Sequence, residues 1–468
     1  MNYISTRGSA PELAFDDVLL AGLARDGGLY LPKSWPVLPP ETIRAFATMP
    51  FADIAVEVIH PFTGDTISRS ELKRMADEAY ASFGDAAVAP LVELAPHRYI
   101  LELFHGPTLA FKDVAMQLLA RLMDHVLEKR GQRAMIVGAT SGDTGGAAIE
   151  AFRSSKRVDV VILFPDGRVS DVQRRMMTTP TEPNVHAVAV KGTFDDCQAL
   201  VKAMFNDHAF RDRVQLSGVN SINWARIVAQ VTYYFAAASR LGAPDKPVSF
   251  SVPTGNFGDI FAGYVARRMG LLIQQLIIAS NENDILPRTV TTGAYAMNGV
   301  VATSSPSMDI QISSNFERYL FEAAGRDAGV IRGLMSDLAS KQRFELGTLW
   351  PVLKADFAAA AASEDDVAKC IRETETRYGY VLDPHSACGV VAANRAGTRD
   401  GALVVLATAH PAKFPDAIEA ITGNRPKLPA RLANLMTDKE RFEVLDNDLA
   451  VVENFVERAA KAPENAAR

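Results

Sequence analysis

The chain has 468 residues, 48% of them hydrophobic and 22% charged, with a net charge of −6. This length exceeds one ordinary core and predicts two or three packed units. So mild a charge, with no Lys/Arg cluster along a helix face, argues against nucleic acid as a partner. Cys197, Cys370 and Cys388 are scattered and form no CxxC pair, so buried free thiols are expected, with neither a disulfide framework nor a metal site. No run reaches the roughly 18 apolar residues of a membrane span, and MNYISTRGSA has no apolar or Arg-rich targeting pattern. A cytoplasmic protein without a membrane partner is expected.

Residues 1–95 read as an N-terminal cap domain: helical signals broken by loops such as ARDGGLYLPKSWPVLPP, with nothing catalytic by residue type. YILELF (99–104) then predicts a strand. The turn-rich loop FHGPTLAFKD (104–113) ends in Lys112, where a long helix begins; Ala115, Leu118, Leu119, Leu122, Met123 and Val126 follow helical spacing, and Gly131 is placed to end it. AMIVGAT is a short buried strand, leading through GATSGDTGG into a helix. VDVVILFPD and NVHAVAVKG are further strands, with a helix starting near Ser170 between them. The rhythm returns in PVSFSVP, the turn TGNFGD, the helix IFAGYVARRMG and the strand QQLIIAS. Residues 285–385 are less regular and more helical, and read as an insertion or lid. ALVVLATA and the helix FPDAIEAITG close a catalytic region spanning 96–430. Residues 431–468 read as a helical tail with a frayed, charged end. Strands alternating with helices over some 300 residues predict an α/β fold with parallel sheets. Its strand-to-helix turns lie at the carboxyl edges, where such folds bind ligands.

Three of those turns carry chemistry. GATSGDTGG (138–146) sets Thr140, Ser141, Asp143 and Thr144 among four glycines at a helix start. One cap needs one such residue, so this density favours an anion site. PTGNFGDIFAG (253–263) repeats the logic, with the amides of Gly255 to Asp259 able to ring a phosphate; it is neither a P-loop nor GxGxxG. In ATAHPAKF (407–414), Thr408 offers one hydrogen bond to a ring nitrogen, while His410 and Lys413 are placed to face an anion. Loop punctuation explains that stretch equally well. Lys112 opposes the helix dipole and sits between Phe111 and an apolar helix face. Desolvation there lowers an amine's pKa and frees it as nucleophile or base, against the commoner fate of a lysine that snorkels to the surface. A reactive lysine with a phosphate cradle is what pyridoxal phosphate requires. Arg168 is the best unassigned cation for a substrate phosphate, though a surface arginine is about as common.

FHGPTLAFKD, GATSGDTG, FPDGRVSDVQ, NSINWARI, VPTGNFGD, SMDIQISSNFERYL, DPHSA and ATAHPAKF together resemble the threonine synthase family, in its longer branch. That branch is related to the tryptophan synthase β chain. The resemblance implies a two-lobed, parallel-sheet fold of the pyridoxal-phosphate type II class, with a small N-terminal domain. It implies Lys112 as the Schiff-base lysine, and Gly255, Asn256, Phe257, Gly258 and Asp259 around the cofactor phosphate. Thr408 would meet the pyridine nitrogen. Ser141, Gly142, Asp143 and Thr144 would bind the substrate carboxylate near the cofactor's 3′ oxygen. The implied reaction turns O-phospho-L-homoserine and water into L-threonine and phosphate, the last step of threonine biosynthesis, in a monomer or homodimer. A phospho-lyase that stops after elimination is the nearest rival. A non-catalytic phosphate-ligand binder is a more distant one, against which Lys112 argues.

Overall fold

The apolar runs of the central region become strands, and they divide between two sheets. The computed structural model describes residues 1–397 and 401–461, so the last seven residues of the expected tail lie outside the described residues. One sheet has six strands, in the order Phe357–Ala361, Ile273–Ser280, Val248–Pro253, Ala402–Ala407, Arg98–Glu102, Leu91–Ala95. All pair in parallel except the last, which is antiparallel to its neighbour. The other has five parallel strands, ordered Glu443–Asp446, Val185–Lys191, Val158–Pro165, Ala134–Ala139, Leu216–Ser217. Val158–Pro165 is buried at every position, as a central strand covered on both faces must be.

The helix Trp224–Arg240 is buried from Trp224 to Ser239. A helix apolar on every face has to lie inside a core, and this one packs against the helices Phe51–Thr63, Lys112–Arg130 and Gly258–Arg268. The N-terminal residues form a three-stranded antiparallel sheet followed by helices. One of these, Arg69–Tyr80, starts on a Ser68/Glu71 capping box. This region does not form a core of its own. Trp224 Nε1 donates to Tyr3 Oη (3.2 Å), the Phe62 and Trp224 rings are 5.7 Å apart, and buried Glu317 accepts from Thr6 and Arg7. The residues read as a cap therefore share one hydrophobic cluster with the catalytic region.

Two segments do more than the sequence predicts. Residues 285–385, read as an insertion or lid, supply the edge strand Phe357–Ala361, paired from Leu276↔Phe357 to Ser280↔Ala361. Four of its five residues are alanine, which favours helix by propensity; half-burial against the sheet decides otherwise. The tail adds the strand Glu443–Asp446 to the five-stranded sheet. Its helix, Leu449–Lys461, buries Val452, Phe455 and Val456 against Cys197, Leu200 and Phe210. Among the described residues, no helix is long and apolar enough to cross a membrane.

Candidate active site

Lys112 owes its place to the loop before it. Ala110 bridges Ala409, the Phe111 N–H donates to the Thr408 carbonyl (2.8 Å), and the His410 N–H donates to the Leu109 carbonyl (3.0 Å). The loop is thereby clipped to the end of the neighbouring strand Ala402–Ala407. Asp113, one residue into the helix, accepts from both the N–H and the hydroxyl of Thr108, each at 2.7 Å. Burial raises the Asp113 pKa to about 6, against the pull of the two Thr108 donors. Lys112 is 9% exposed, with Nζ 5.6 Å from the Phe111 ring centroid. Burial lowers its pKa; Asp143 opposes this, while Lys413 and Arg226 reinforce it.

Asp143, at the start of the helix Asp143–Phe152, is the hub facing that amine. Its Oδ2 lies 3.5 Å from Lys112 Nζ, and its Oδ1 is 2.9 Å from Lys413 Nζ. Gln173 Nε2 donates to Oδ1 (2.9 Å) and Ser307 Oγ donates to Oδ2 (3.2 Å). Lys112 Nζ donates in turn to Ser307 Oγ (3.4 Å). Fully buried Lys413 also donates to the Thr108 carbonyl (2.6 Å). Despite burial, these cations hold Asp143 well below the usual carboxylate range, Lys413 ahead of Lys112. Gly142 adopts φ +139°, and a Cβ there would lie 2.5 Å from Gln173, so the turn admits Gln173 to Asp143 only with glycine present. Ser141 and Thr144 stand half-buried beside the hub.

The second glycine turn is tied down by its carbonyls. Gly255 O accepts from Ser313 Oγ (2.7 Å) and Asn256 O from the Asn315 N–H (3.0 Å). The N–H groups of Gly255, Asn256 and Phe257 find no protein acceptor among the described residues. Phe257, at φ +62°, turns the chain into the helix Gly258–Arg268, whose first amides are free by helix geometry. A Cβ on Gly255 would come within 2.8 Å of the Ser307 carbonyl, so the loop approaches this neighbour as closely as glycine permits. Asp259 turns its carboxyl away from the turn, to the hydroxyls of Tyr233 and Tyr234. Only its amide is left for an anion.

Burial raises the Asp259 pKa to about 7, the two tyrosine donors acting against it. A carboxyl with a raised folded pKa favours folding at low pH, and that contribution is lost as pH rises through the folded value. Asp259→Asn therefore gains on the wild type between pH 5 and pH 8, by on the order of 3 kcal/mol. Urea denaturation of the cofactor-free proteins at the two pH values measures this, and an unchanged gap would contradict a neutral buried acid.

Of the other sequence candidates, Thr408 is buried at the strand end, its N–H donating to Ser386 Oγ (3.2 Å). His410 accepts the Ala412 N–H at Nδ1 (3.1 Å), and burial lowers its pKa to about 4. Arg168 is exposed, with Asp196 as a charged neighbour. Its loop leads to Ser170, whose hydroxyl donates to the Lys413 carbonyl (3.3 Å). Gln173 ends the stretch FPDGRVSDVQ and Ser307 opens SMDIQISSNFERYL, but the sequence assigns neither of them a role in the site. His385 completes the wall, with Nδ1 2.7 Å from Asp383 and Nε2 accepting from the Ser307 N–H (3.3 Å).

These groups fit pyridoxal phosphate. They offer a desolvated amine for covalent attachment, a ring of unfilled amides for the phosphate, and an uncharged hydroxyl at the opposite strand end. A two-lobed parallel-sheet scaffold with such a lysine between its lobes defines a pyridoxal-phosphate enzyme of fold type II. Comparison with known proteins agrees. Residues 2–80 match the family described as threonine synthase N terminus, 87–339 pyridoxal-phosphate dependent enzyme, and 386–456 threonine synthase, C-terminal. Threonine synthase of Pseudomonas aeruginosa is 50% identical over 97% of this chain and 98% of the relative. The crystal structure of PLP-bound threonine synthase from Brucella melitensis superposes with a TM-score of 0.97, at 58% identity, covering 99% of this chain and 100% of that one. The yeast threonine synthase structure gives 0.92 at 38% identity, covering 98% of each. The chain belongs to the threonine synthase family. Its reaction converts O-phospho-L-homoserine and water to L-threonine and phosphate, with pyridoxal 5′-phosphate as cofactor.

Proposed function

We propose that Lys112 both carries the cofactor and moves the protons of this reaction, in a pocket whose charges are set by Asp143. The carrying observation is the buried Lys112 amine, 3.5 Å from Asp143 Oδ2 and hydrogen-bonded to Ser307. Pyridoxal phosphate, when bound, supplies the conjugated ring that takes up electrons from the substrate carbon. Burial lowers the Lys112 pKa and so weighs toward the neutral amine, the form that accepts the α proton and returns it later. Ser307 keeps that amine in line by accepting from Nζ while donating to Asp143. The amides of Gly255 to Asp259 receive the cofactor phosphate, and Thr408 offers its hydroxyl to the pyridine nitrogen. A neutral partner there leaves the ring uncharged, so positioned groups steer the outcome.

The amides and hydroxyls of Ser141 to Thr144 receive the substrate carboxylate at the helix start. Arg168, on the loop that reaches Lys413, draws the phosphate end of O-phospho-L-homoserine in from the rim. Phe111 and the closed wall around Ser307 keep bulk water from the amine, so that one water is added at Cβ instead of an intermediate being lost. The protein works in the cytoplasm as a monomer or homodimer on small molecules alone.

The test is a visible absorption scan of the pure protein during addition of O-phospho-L-homoserine, with the products identified. A yellow band that changes with substrate, together with threonine and phosphate, is expected. Phosphate with 2-oxobutyrate and no threonine would replace the synthase reading with a lyase. No band after adding cofactor would remove the central role of Lys112.

A further inference from the structure

The stretch DPHSA opens the helix Pro384–Ala396, and one of its side chains is enough to do so. Asp383 caps that helix, accepting the N–H groups of His385 (2.9 Å) and Ser386 (3.1 Å). The cap is complete without an imidazole. His385 nevertheless turns its ring back over the cap, 3% exposed, with Nδ1 2.7 Å from Asp383 Oδ2. The ring also packs on Phe414, with centroids 5.0 Å apart. A carboxylate only accepts, so the ring proton stands on Nδ1 and Nε2 is left as an acceptor. That acceptor receives the Ser307 N–H (3.3 Å). One tautomer satisfies both bonds, and Asp383 selects it.

What Ser307 holds makes this contact more than packing. Its hydroxyl stands between the two charged groups of the site, accepting from Lys112 Nζ (3.4 Å) and donating to Asp143 Oδ2 (3.2 Å). Its carbonyl lies 2.8 Å from where a Cβ of Gly255 would stand, beside the second glycine turn. Ser307 itself belongs to a single short turn, Pro306–Met308, and not to a strand or a long helix. Among the described residues its N–H bonds to His385 alone. We propose that His385 is a positioning residue for Lys112. Held in one tautomer by Asp383, it anchors the Ser307 backbone and so sets the hydroxyl that keeps the Lys112 amine against Asp143. This rests on the role given above to Lys112. An amine that takes up and returns a proton at one carbon tolerates little displacement: about 1 Å costs on the order of 100-fold.

His385→Asn and His385→Gln separate the two ring bonds, because an Asn amide stands where Nδ1 does and a Gln amide reaches as far as Nε2. H385N keeps a donor for Asp383 and loses the acceptor for Ser307; H385Q does the reverse. H385N lowers kcat for threonine formation by about 30-fold or more, with the KM for O-phospho-L-homoserine within about 3-fold. H385Q stays within about 5-fold of the wild type in both. A second readout needs no turnover. Cofactor-free protein is mixed with excess pyridoxal 5′-phosphate, and growth of the visible band times the attack of Lys112. H385N slows it by at least about 10-fold, and H385Q does not. On Ser307→Ala, which has no hydroxyl to position, H385N costs less than about 3-fold more in either rate. Asp383→Asn turns a donor toward Nδ1, which moves the ring proton to Nε2 and against the Ser307 N–H, so it reproduces the H385N losses. Equal losses in H385N and H385Q, no loss in H385N, its full loss on the S307A background, or wild-type rates in D383N overturn the proposal. Should circular dichroism show H385N unfolded, His385→Phe decides. It keeps a ring against Phe414 but no acceptor, so the same losses are expected, and wild-type rates overturn the proposal. A wild type that forms the band without making threonine would fail the reaction and not this proposal, and band growth then decides on His385. A wild type that forms no band would remove the role of Lys112 on which both depend.

Discussion

Lys112→Ala is expected to fold like the wild type and to form threonine at least about 10³-fold more slowly, because in the proposed mechanism one substitution removes both the attachment point and the base. The loss is chemical and not structural. The loop that places Lys112 is held by the Phe111 and His410 backbone bonds and by Asp113, none of which involves the lysine side chain. Asp143 keeps Lys413 at 2.9 Å and the Gln173 bond when Lys112 is gone, so no buried charge is left alone. Removing a desolvated amine whose partner stands at 3.5 Å changes stability by only about 1 kcal/mol in either direction. Initial rates of threonine release, the visible spectrum after adding cofactor and a thermal melt separate the two effects. Turnover within about tenfold of wild type would take Lys112 out of the chemistry; a collapsed melting temperature would make it a structural residue.

What was legible in the sequence follows from how local its physical cause is. The loop ending at Lys112 and the two glycine turns are short-range devices, where turn residues, a strand and a helix start are consecutive, and they appear where the pattern puts them. The strand Phe357–Ala361 was hidden because its alanines speak for a helix, and only pairing with Ile273–Ser280 makes it a strand. The tail strand Glu443–Asp446 was hidden likewise, being an exposed edge with no apolar alternation. The site divides in the same way. Lys413 was visible as a cation near the last strand, but its partner Asp143 lies in another sheet's turn, and no spacing rule connects them. Ser307 opens the stretch SMDIQISSNFERYL, but its residue type points to no role. A serine in a loop is ordinary until the fold brings it between Lys112 and Asp143. The shared core of the N-terminal residues was equally invisible, since Tyr3 and Phe62 meet Trp224 only after folding.

Asp143→Ala is expected to destabilise the protein by about 3–5 kcal/mol, the cost of leaving a buried charge without its partner. Lys413 is 1% exposed, and the carbonyl of Thr108 alone does not neutralise it. Asp143→Asn keeps an acceptor for Gln173 or Lys413 but no charge, so it loses less, by roughly half. The pH dependence fixes the cause. Asp143 has a folded pKa well below its ordinary value, with burial opposed by Lys413 and Lys112. Its contribution is therefore complete above about pH 4, the unfolded value, and disappears only as pH falls toward the folded one. The gap between wild type and D143A stays constant from pH 8 to pH 4 and narrows below, which is the opposite sense to the gap for Asp259→Asn. Urea denaturation across that range reads both. A D143A gap that opened or closed near neutral pH would mean that the stabilising charge belongs to another group. A loss under about 1 kcal/mol would mean that Lys413 finds relief elsewhere, and that Asp143 serves the chemistry beside Lys112 without holding the two sheets' turns together.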